Sequence, residues 1–240
     1  METNFNIEKI VPLCREFGVD LTEEMINKLN IYGNLLLSWN EKINLTAITK
    51  PEEVLFKHFY DCILFLKHNK MPENSSLIDV GTGAGFPGMV LKIVRPDLEV
   101  TLLDSLNKRL IFLNDVIEKL SLSNITTVHL RAEEAGKNPV YREKYDFATA
   151  RAVASLPVLL EYCLPFVKTG GYFVAMKGPS AKEELSLCTN ALKLLNAEKG
   201  DIICETLSGN EQRAFISFKK ISQTSPKYPR KPAVISKQPL

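Results

Sequence analysis

Leu77-Ile78-Asp79-Val80-Gly81-Thr82-Gly83-Ala84-Gly85-Phe86-Pro87-Gly88 reads as an apolar strand that ends on a carboxylate, breaks into glycines and restarts as a helix at a proline. Glycine lets a backbone turn tightly and lie against a ligand, because no Cβ stands in the way. Pro87 falls in a first helical turn, where its missing N–H is not needed. The result is a cradle between a strand and a helix N-terminus. Its spelling fits two cofactors: Gly81-x-Gly83-x-Gly85 suits S-adenosylmethionine, and Gly83-x-Gly85-x-x-Gly88 suits a dinucleotide. A pyrophosphate seeks helix-end amides and cations, so a carboxylate at Asp79 would repel it. The sulfonium and amino group of S-adenosylmethionine are both cationic and suit Asp79. The plainer role for Asp79 is to cap the turn.

Beyond this stretch, strand and helix patterns alternate. Met89, Val90, Ile93 and Val94 predict a helix stopped by Pro96, and Val100–Leu103 a short buried strand ending on Asp104. Leu106, Leu110, Leu113, Val116 and Leu120 mark the next helix. Residues 125–128 and 145–150 read as strands three and four, and Ser155 starts a helix. After a Gly170-Gly171 turn, residues 172–176 form strand five. Ser180 and Glu183 make a capping box for one helix running to Leu195, and residues 202–205 and 214–218 complete seven strands. Such alternation implies an α/β fold with a doubly wound, mostly parallel sheet.

Ligands bind at the carboxyl ends of strands in such sheets. The first strand offers Asp79, Gly81, Gly83 and Gly85. The second offers Asp104, about twenty residues on, where an acid holds ribose hydroxyls. The third leads to Ala132 and Glu133, placed to flank an adenine, and the fourth and fifth end at Arg151 and Lys177. Ordinary strand-end polarity is the alternative for each.

Residues 1–70 read as a helical segment packed on a main domain of residues 71–220. Asp20 with Glu23 resembles a capping box, and Leu21, Met25, Leu29, Tyr32, Leu36 and Trp39 form an apolar stripe. Asn40 to Thr46 reads as a loop before a helix that starts at Pro51. His58 and Asp61 lie three apart on that helix, but His68 and His129 stand in unrelated settings and no third metal ligand is evident, so a core or interface histidine is expected. Residues 221–240 are a basic, proline-rich tail. Lys219, Lys220, Lys227, Arg230, Lys231 and Lys237 come with no acid, and Tyr228 stands among them. It reads either as a solvated tail or as an arm that follows a phosphate backbone, with Tyr228 stacking on a base.

A net charge of +2 over 240 residues announces no nucleic-acid partner by itself. Five scattered cysteines without Cys-x-x-Cys argue for free thiols in a reducing compartment and against zinc. The acidic start Met1-Glu2-Thr3 fits no signal peptide, and no apolar run reaches membrane length. A cytoplasmic monomer is expected.

Together Asp79–Gly88, Leu103-Asp104-Ser105-x-x-Lys108-Arg109, Arg151-Ala152-x-Ala154-Ser155-Leu156 and Lys177-Gly178 resemble the bacterial ribosomal RNA small-subunit methyltransferase G family, also called glucose-inhibited division protein B. Trp39-Asn40, Asn44-Leu45-Thr46 and the ending Tyr228-Pro229-Arg230-Lys231-Pro232 fit as well. The resemblance implies a class I, Rossmann-like methyltransferase that uses S-adenosylmethionine to make 7-methylguanosine in small-subunit ribosomal RNA. By matching positions it implies that Gly81, Phe86, Ala132, Glu133 and Arg151 contact the cofactor. Asp79, Gly83, Gly85, Asp104 and Ser105 complete the expected cofactor set.

The missing motifs agree. The place after strand four reads Ala150-Arg151-Ala152-Val153 rather than the (Asp/Asn)-Pro-Pro-(Tyr/Phe) loop of exocyclic-amine methylation, and the Pro-Cys nucleophile of pyrimidine-carbon methylation is lacking. Guanine N7 carries a lone pair and no proton, so no acid–base residue is expected and Arg151 and Lys177 serve as positioning groups. Lys108, Arg109, Lys177, Lys227, Tyr228, Arg230 and Lys231 are the expected RNA contacts, on naked RNA or an assembled particle. The competing readings are a methyltransferase for a small molecule or protein, a hydride-transferring oxidoreductase, against which the lack of length for a second catalytic domain speaks, and a binding module without catalysis.

Overall fold

Residues 5–207 and 211–240 are described in a computed structural model. After the short helix α1 (Val11–Glu16), α2 (Glu23–Ile43) starts where the Thr22 hydroxyl accepts the Met25 N–H at 3.3 Å. Asp20 is not the cap. It pairs with Arg15 at 3.0 Å instead. Nor does Asn40 begin a loop: α2 continues to Ile43 and stops at Asn44, which adopts φ 44°. The Asn40 side chain accepts the Leu45 and Thr46 N–H groups at 2.6 and 2.8 Å and so turns the chain. The next helix is unbroken but changes pitch, as α3 (Pro51–Val54), a π-helical turn at Leu55–Tyr60 and α4 (Asp61–His68).

The sheet comprises β1 (Ser76–Val80), β2 (Glu99–Asp104), β3 (Ile125–His129), β4 (Tyr145–Arg151), β5 (Val167–Lys177), β6 (Ala197–Thr206) and β7 (Gln212–Lys220), in the order β3-β2-β1-β4-β5-β7-β6. The first five are parallel, and β7 inserts antiparallel between β5 and β6. Connecting helices are α5 (Gly88–Val94), α6 (Asn107–Lys119), α7 (Ala132–Ala135), α8 (Leu156–Cys163), α9 (Ala181–Ser186) and α10 (Thr189–Leu194). The expected single helix from Ser180 to Leu195 is thus two, and no Ser180–Glu183 box forms. Glu184 takes the Ser180 hydroxyl at 2.8 Å and the Leu156 N–H at 2.6 Å, tying α9 to α8. β6 and β7 run longer than their apolar cores, because hairpin pairing extends through polar residues at their ends, and β5 starts early because Val167 pairs with Tyr145 of β4.

Two apolar cores lie on the two faces of the sheet. One packs α2, the π-helical turn, α4, α5 and α6, with Tyr32, Phe59, Phe86 and Phe112 buried together. The other packs α8, α10 and the end of the chain. Among the described residues no helix is long and apolar enough to cross a membrane.

The C-terminal segment is neither a solvated tail nor a free arm. Tyr228 is buried, Arg142 donates to the carbonyls of Thr224, Ser225 and Tyr228, and Arg230 forks onto the buried Glu161. A final helix, α11 (Pro232–Lys237), follows. The acids that anchor this basic stretch lie elsewhere: Glu161 is 69 residues from Arg230. A local charge pattern cannot reveal such a partner.

Candidate active site

The loop after β1 is built from backbone and two carboxylates. Gly81, Gly83 and Gly85 take φ of 72, 62 and 100°, conformations that disfavour residues with a Cβ. A Cβ at Gly81 would also stand 2.7 Å from Val153 Cγ2, and one at Gly85 would stand 2.6 Å from the Tyr32 hydroxyl. Asp79 is fully buried beneath the loop, where its Oδ2 accepts from the Thr82 hydroxyl at 2.7 Å and from the Gly88 N–H at 2.8 Å. Asp104, at the end of β2, accepts the Gly83 N–H at 2.9 Å and the Leu106 N–H at 2.9 Å, and pairs with Arg109 at 3.1 Å. The Tyr32 hydroxyl of α2 donates to the Ala84 carbonyl and clamps the loop from the other side.

A cleft of about 610 Å³ opens at the carboxyl ends of β1 to β4. Of the expected cofactor residues, Gly81, Asp104, Ser105, Ala132 and Glu133 line it. Gly83 does not line it, and a Cβ there would meet only the Gly81 carbonyl oxygen, at 4.0 Å. Asp79, Gly85, Phe86 and Arg151 do not line the cleft. Asp79 caps the turn, Gly85 makes the close packing against Tyr32 and Leu113, and Phe86 is buried against Tyr32, Phe59 and His58. Unforeseen wall residues are Val158 and Tyr162 from α8 and Pro232 and Ser236 from α11.

Ala152, in the left-handed region at φ 56°, also lines a second cavity of about 390 Å³. The two chambers therefore share a wall. Four cations, Lys57, Arg151, Lys177 and Arg213, face the second one, with Asp61 and Glu211 as the acids. Arg151 donates to Asp61 Oδ2 and the Lys57 carbonyl, both at 3.0 Å, and its guanidinium lies 5.0 Å from the Phe86 ring centroid. Burial pushes the Asp61 carboxyl pKa up, although Arg151 and Arg213 oppose it. His58 is pressed down to about 3 by burial and by the Arg151 charge, so it is neutral near pH 7. Its Nε2 lies 2.9 Å from the Thr46 hydroxyl. Lys177 donates to the Ala154 carbonyl at 3.0 Å and pairs with Glu184 at 2.8 Å, which fixes the loop after β4.

Several expected RNA contacts are engaged within the fold. Tyr228 cannot stack on a base while it is buried, Arg230 is held by Glu161, and Arg109 is turned onto Asp104. Lys108, Lys227 and Lys231 are exposed. Sequence reading missed Lys57, Glu211 and Arg213. Strand-end reasoning considers carboxyl ends only, whereas antiparallel β7 brings its amino end beside the carboxyl end of β5, with Ala214 opposite Lys177.

The solved geranyl diphosphate C-methyltransferase from Streptomyces coelicolor A3(2), in complex with magnesium, geranyl diphosphate and S-adenosyl-L-homocysteine, superposes with a TM-score of 0.52 at 13% identity, covering 68% of this chain and 79% of that one. That likeness shows a class I methyltransferase fold and no more. A ribosomal RNA small subunit methyltransferase G from Acetivibrio thermocellus is 56% identical over 225 residues, 93% of this chain and 92% of the relative. One from Clostridium botulinum (strain ATCC 19397 / Type A) is 47% identical over 237 residues, 98% of each. The family model described as GidB, rRNA small subunit methyltransferase G, matches residues 25–221, and with these near-full-length relatives it shows that the chain belongs to that family.

Proposed function

We propose that this chain transfers a methyl group from S-adenosylmethionine to guanine N7 in small-subunit ribosomal RNA, working in the cytoplasm. The carrying observation is the pair of adjoining chambers, one walled by the glycine-loop backbone with Asp104 and Glu133, the other rich in cations. The residues of the first chamber fit the cofactor. Gly81 leaves the loop surface free of side chains. Asp104 uses three of about four acceptor directions on protein donors, which leaves one for a ribose hydroxyl. Ala132 and Val158 offer apolar surface for a purine, and Glu133 stands beside them.

When bound, S-adenosylmethionine supplies a methyl carbon made electrophilic by its sulfonium. Guanine N7 brings its own lone pair, so the chain's task is to orient the base and exclude water. The second chamber is consistent with that task. Its histidine is neutral, hydrogen-bonded and half-buried rather than poised as a base, and Arg151 and Lys177 are fixed by protein partners. Lys57 and Arg213 are the half-open cations suited to a phosphate.

The test offers the enzyme labelled S-adenosylmethionine with small ribosomal subunits, naked small-subunit RNA and free guanosine. Transfer to RNA or subunits is expected, with guanosine far behind. Equal transfer to free guanosine sinks the RNA reading. Gly81→Val forces a branched side chain into a left-handed position against Val153, and calorimetry with S-adenosylhomocysteine is expected to show at least about tenfold weaker binding. Undiminished binding would place the cofactor elsewhere.

A further inference from the structure

The second chamber carries a recognition element that is not among the motifs of the glycine loop or of the strand ends. At about 390 Å³ it has the volume of a site for one nucleotide and not for a helix. Guanine N7 lies in the deep, narrow major groove of A-form RNA, out of reach of side chains, so the target base must leave its helix or already be unpaired. Such a base is read on its Watson–Crick edge. For guanine that edge presents two donors, N1–H and the 2-amino group, beside the O6 acceptor. The donors call for a carboxylate.

The chamber holds two carboxylates, and their environments separate their roles. Asp61 is sealed at 1% side-chain exposure beneath Arg151 and Arg213 and cannot meet a ligand without moving them. Glu211 is 34% exposed and lines the same chamber. Lys57 at 2.7 Å takes one of its oxygens and Arg213 at 2.9 Å takes the other, and both cations keep it ionised at neutral pH. Among the described residues each of its oxygens has one side-chain partner, and a carboxylate oxygen has room for a second donor. A carboxylate can accept two adjacent donors side by side, which is how guanine presents N1–H and its 2-amino group. Ile48 and Met176 supply apolar surface in the same chamber, on which a flat base can lie.

Resting on the methyltransferase reading above, we infer that Glu211 is the specificity-determining residue of this site, accepting N1–H and the 2-amino group of the unstacked target guanine. Adenine, which has an acceptor at N1 and no 2-amino group, is rejected because it would leave the carboxylate facing a lone pair. Lys57 and Arg213 hold Glu211 in its rotamer and stand beside it to meet the nucleotide's phosphate.

The test uses the full-length enzyme and small-subunit RNA in which the mapped target guanosine is replaced by inosine, which lacks only the 2-amino group. With the wild type, inosine is expected to lower kcat/KM about tenfold, the discrimination of one lost contact in a bidentate pair. Glu211→Ala is expected to lower kcat/KM on guanosine RNA by about ten- to a hundredfold and to treat guanosine and inosine alike. Glu211→Gln, which keeps the shape and one acceptor, should fall between. S-adenosylhomocysteine affinity, read in the other chamber, should be unchanged in both variants. Two outcomes overturn the assignment: a wild type indifferent to inosine, or a Glu211→Ala enzyme that keeps the full preference for guanosine. A wild type that methylates neither RNA instead overturns the functional reading on which the assignment rests.

Discussion

Asp79 has no exposed surface, and its Oδ2 holds the Thr82 hydroxyl and the Gly88 N–H. Burial raises its pKa from 3.8 to about 6 in spite of those bonds. A carboxyl whose folded pKa exceeds its unfolded value binds its proton more tightly when folded. That contribution to stability is fully present below about pH 4 and is lost as pH rises through about 6. At 1.36 kcal/mol per unit the loss amounts to about 3 kcal/mol. Asp79→Asn cannot titrate, so relative to the wild type it should gain about that much stability between pH 4 and pH 7. Urea unfolding of both proteins at the two pH values checks this, and a pH-independent difference would refute it. A carboxylate ahead of a glycine loop was evident from the residues alone. Whether it faces a ligand or the turn depends on which way the strand end points, and here it points inward.

At the scale of elements, the C-terminal segment is a wall of the cleft at the strand ends. Pro232 and Ser236 reach that cleft because Arg230 is forked onto Glu161 at 2.7–3.1 Å and Arg142 binds three carbonyls of the approach. Removing one member of a buried pair strands the other, at a cost of 3–5 kcal/mol when both are sealed. Arg230 is 23% exposed, so about 2 kcal/mol is expected for Arg230→Met. That corresponds to a fall in Tm of about 4–8 °C for a chain of this size. The same variant should weaken S-adenosylhomocysteine binding several-fold, since α11 loses its latch. Thermal scans and calorimetry on one preparation check both, and a lower Tm with unchanged binding would detach α11 from the site. The π-helical turn is a second case: its residues show the same apolar periodicity as an ordinary helix, yet it carries Lys57 and His58 to the second chamber.

On the scale of the whole molecule, the net charge of +2 says little, while the distribution of cations says more. Lys57, Lys177 and Arg213 face one chamber, and Lys108, Lys227 and Lys231 are exposed around the fold. If about three or four of these meet phosphates, RNA affinity should drop about ten- to a hundredfold between 50 and 200 mM salt. Cofactor affinity should barely respond, because its cleft balances Asp104 and Glu133 against Arg109 and Arg131. Filter binding and calorimetry across that range separate the two. An RNA affinity indifferent to salt would remove the phosphate contacts from this account.

Periodicity and glycine spacing were enough to obtain the alternating elements, the loop after β1, and the Asp104 and Ala132-Glu133 wall, because each of these is encoded by neighbours in the chain. Hydrophobic repeats and φ > 0 demands act over a few residues. Partner choice across space was beyond their reach. Tyr32 on the Ala84 carbonyl, Arg151 turned onto Asp61 and Lys57, Arg230 onto Glu161, and Arg213 onto Asp61 all join residues from distant segments. A charged or hydroxyl side chain carries no local sign of whether it will meet solvent, a ligand or another part of the fold. Strand order and helix packing made those choices, and they divided one expected constellation into a loop with its supports, a cleft at the strand ends and a separate cation-lined chamber.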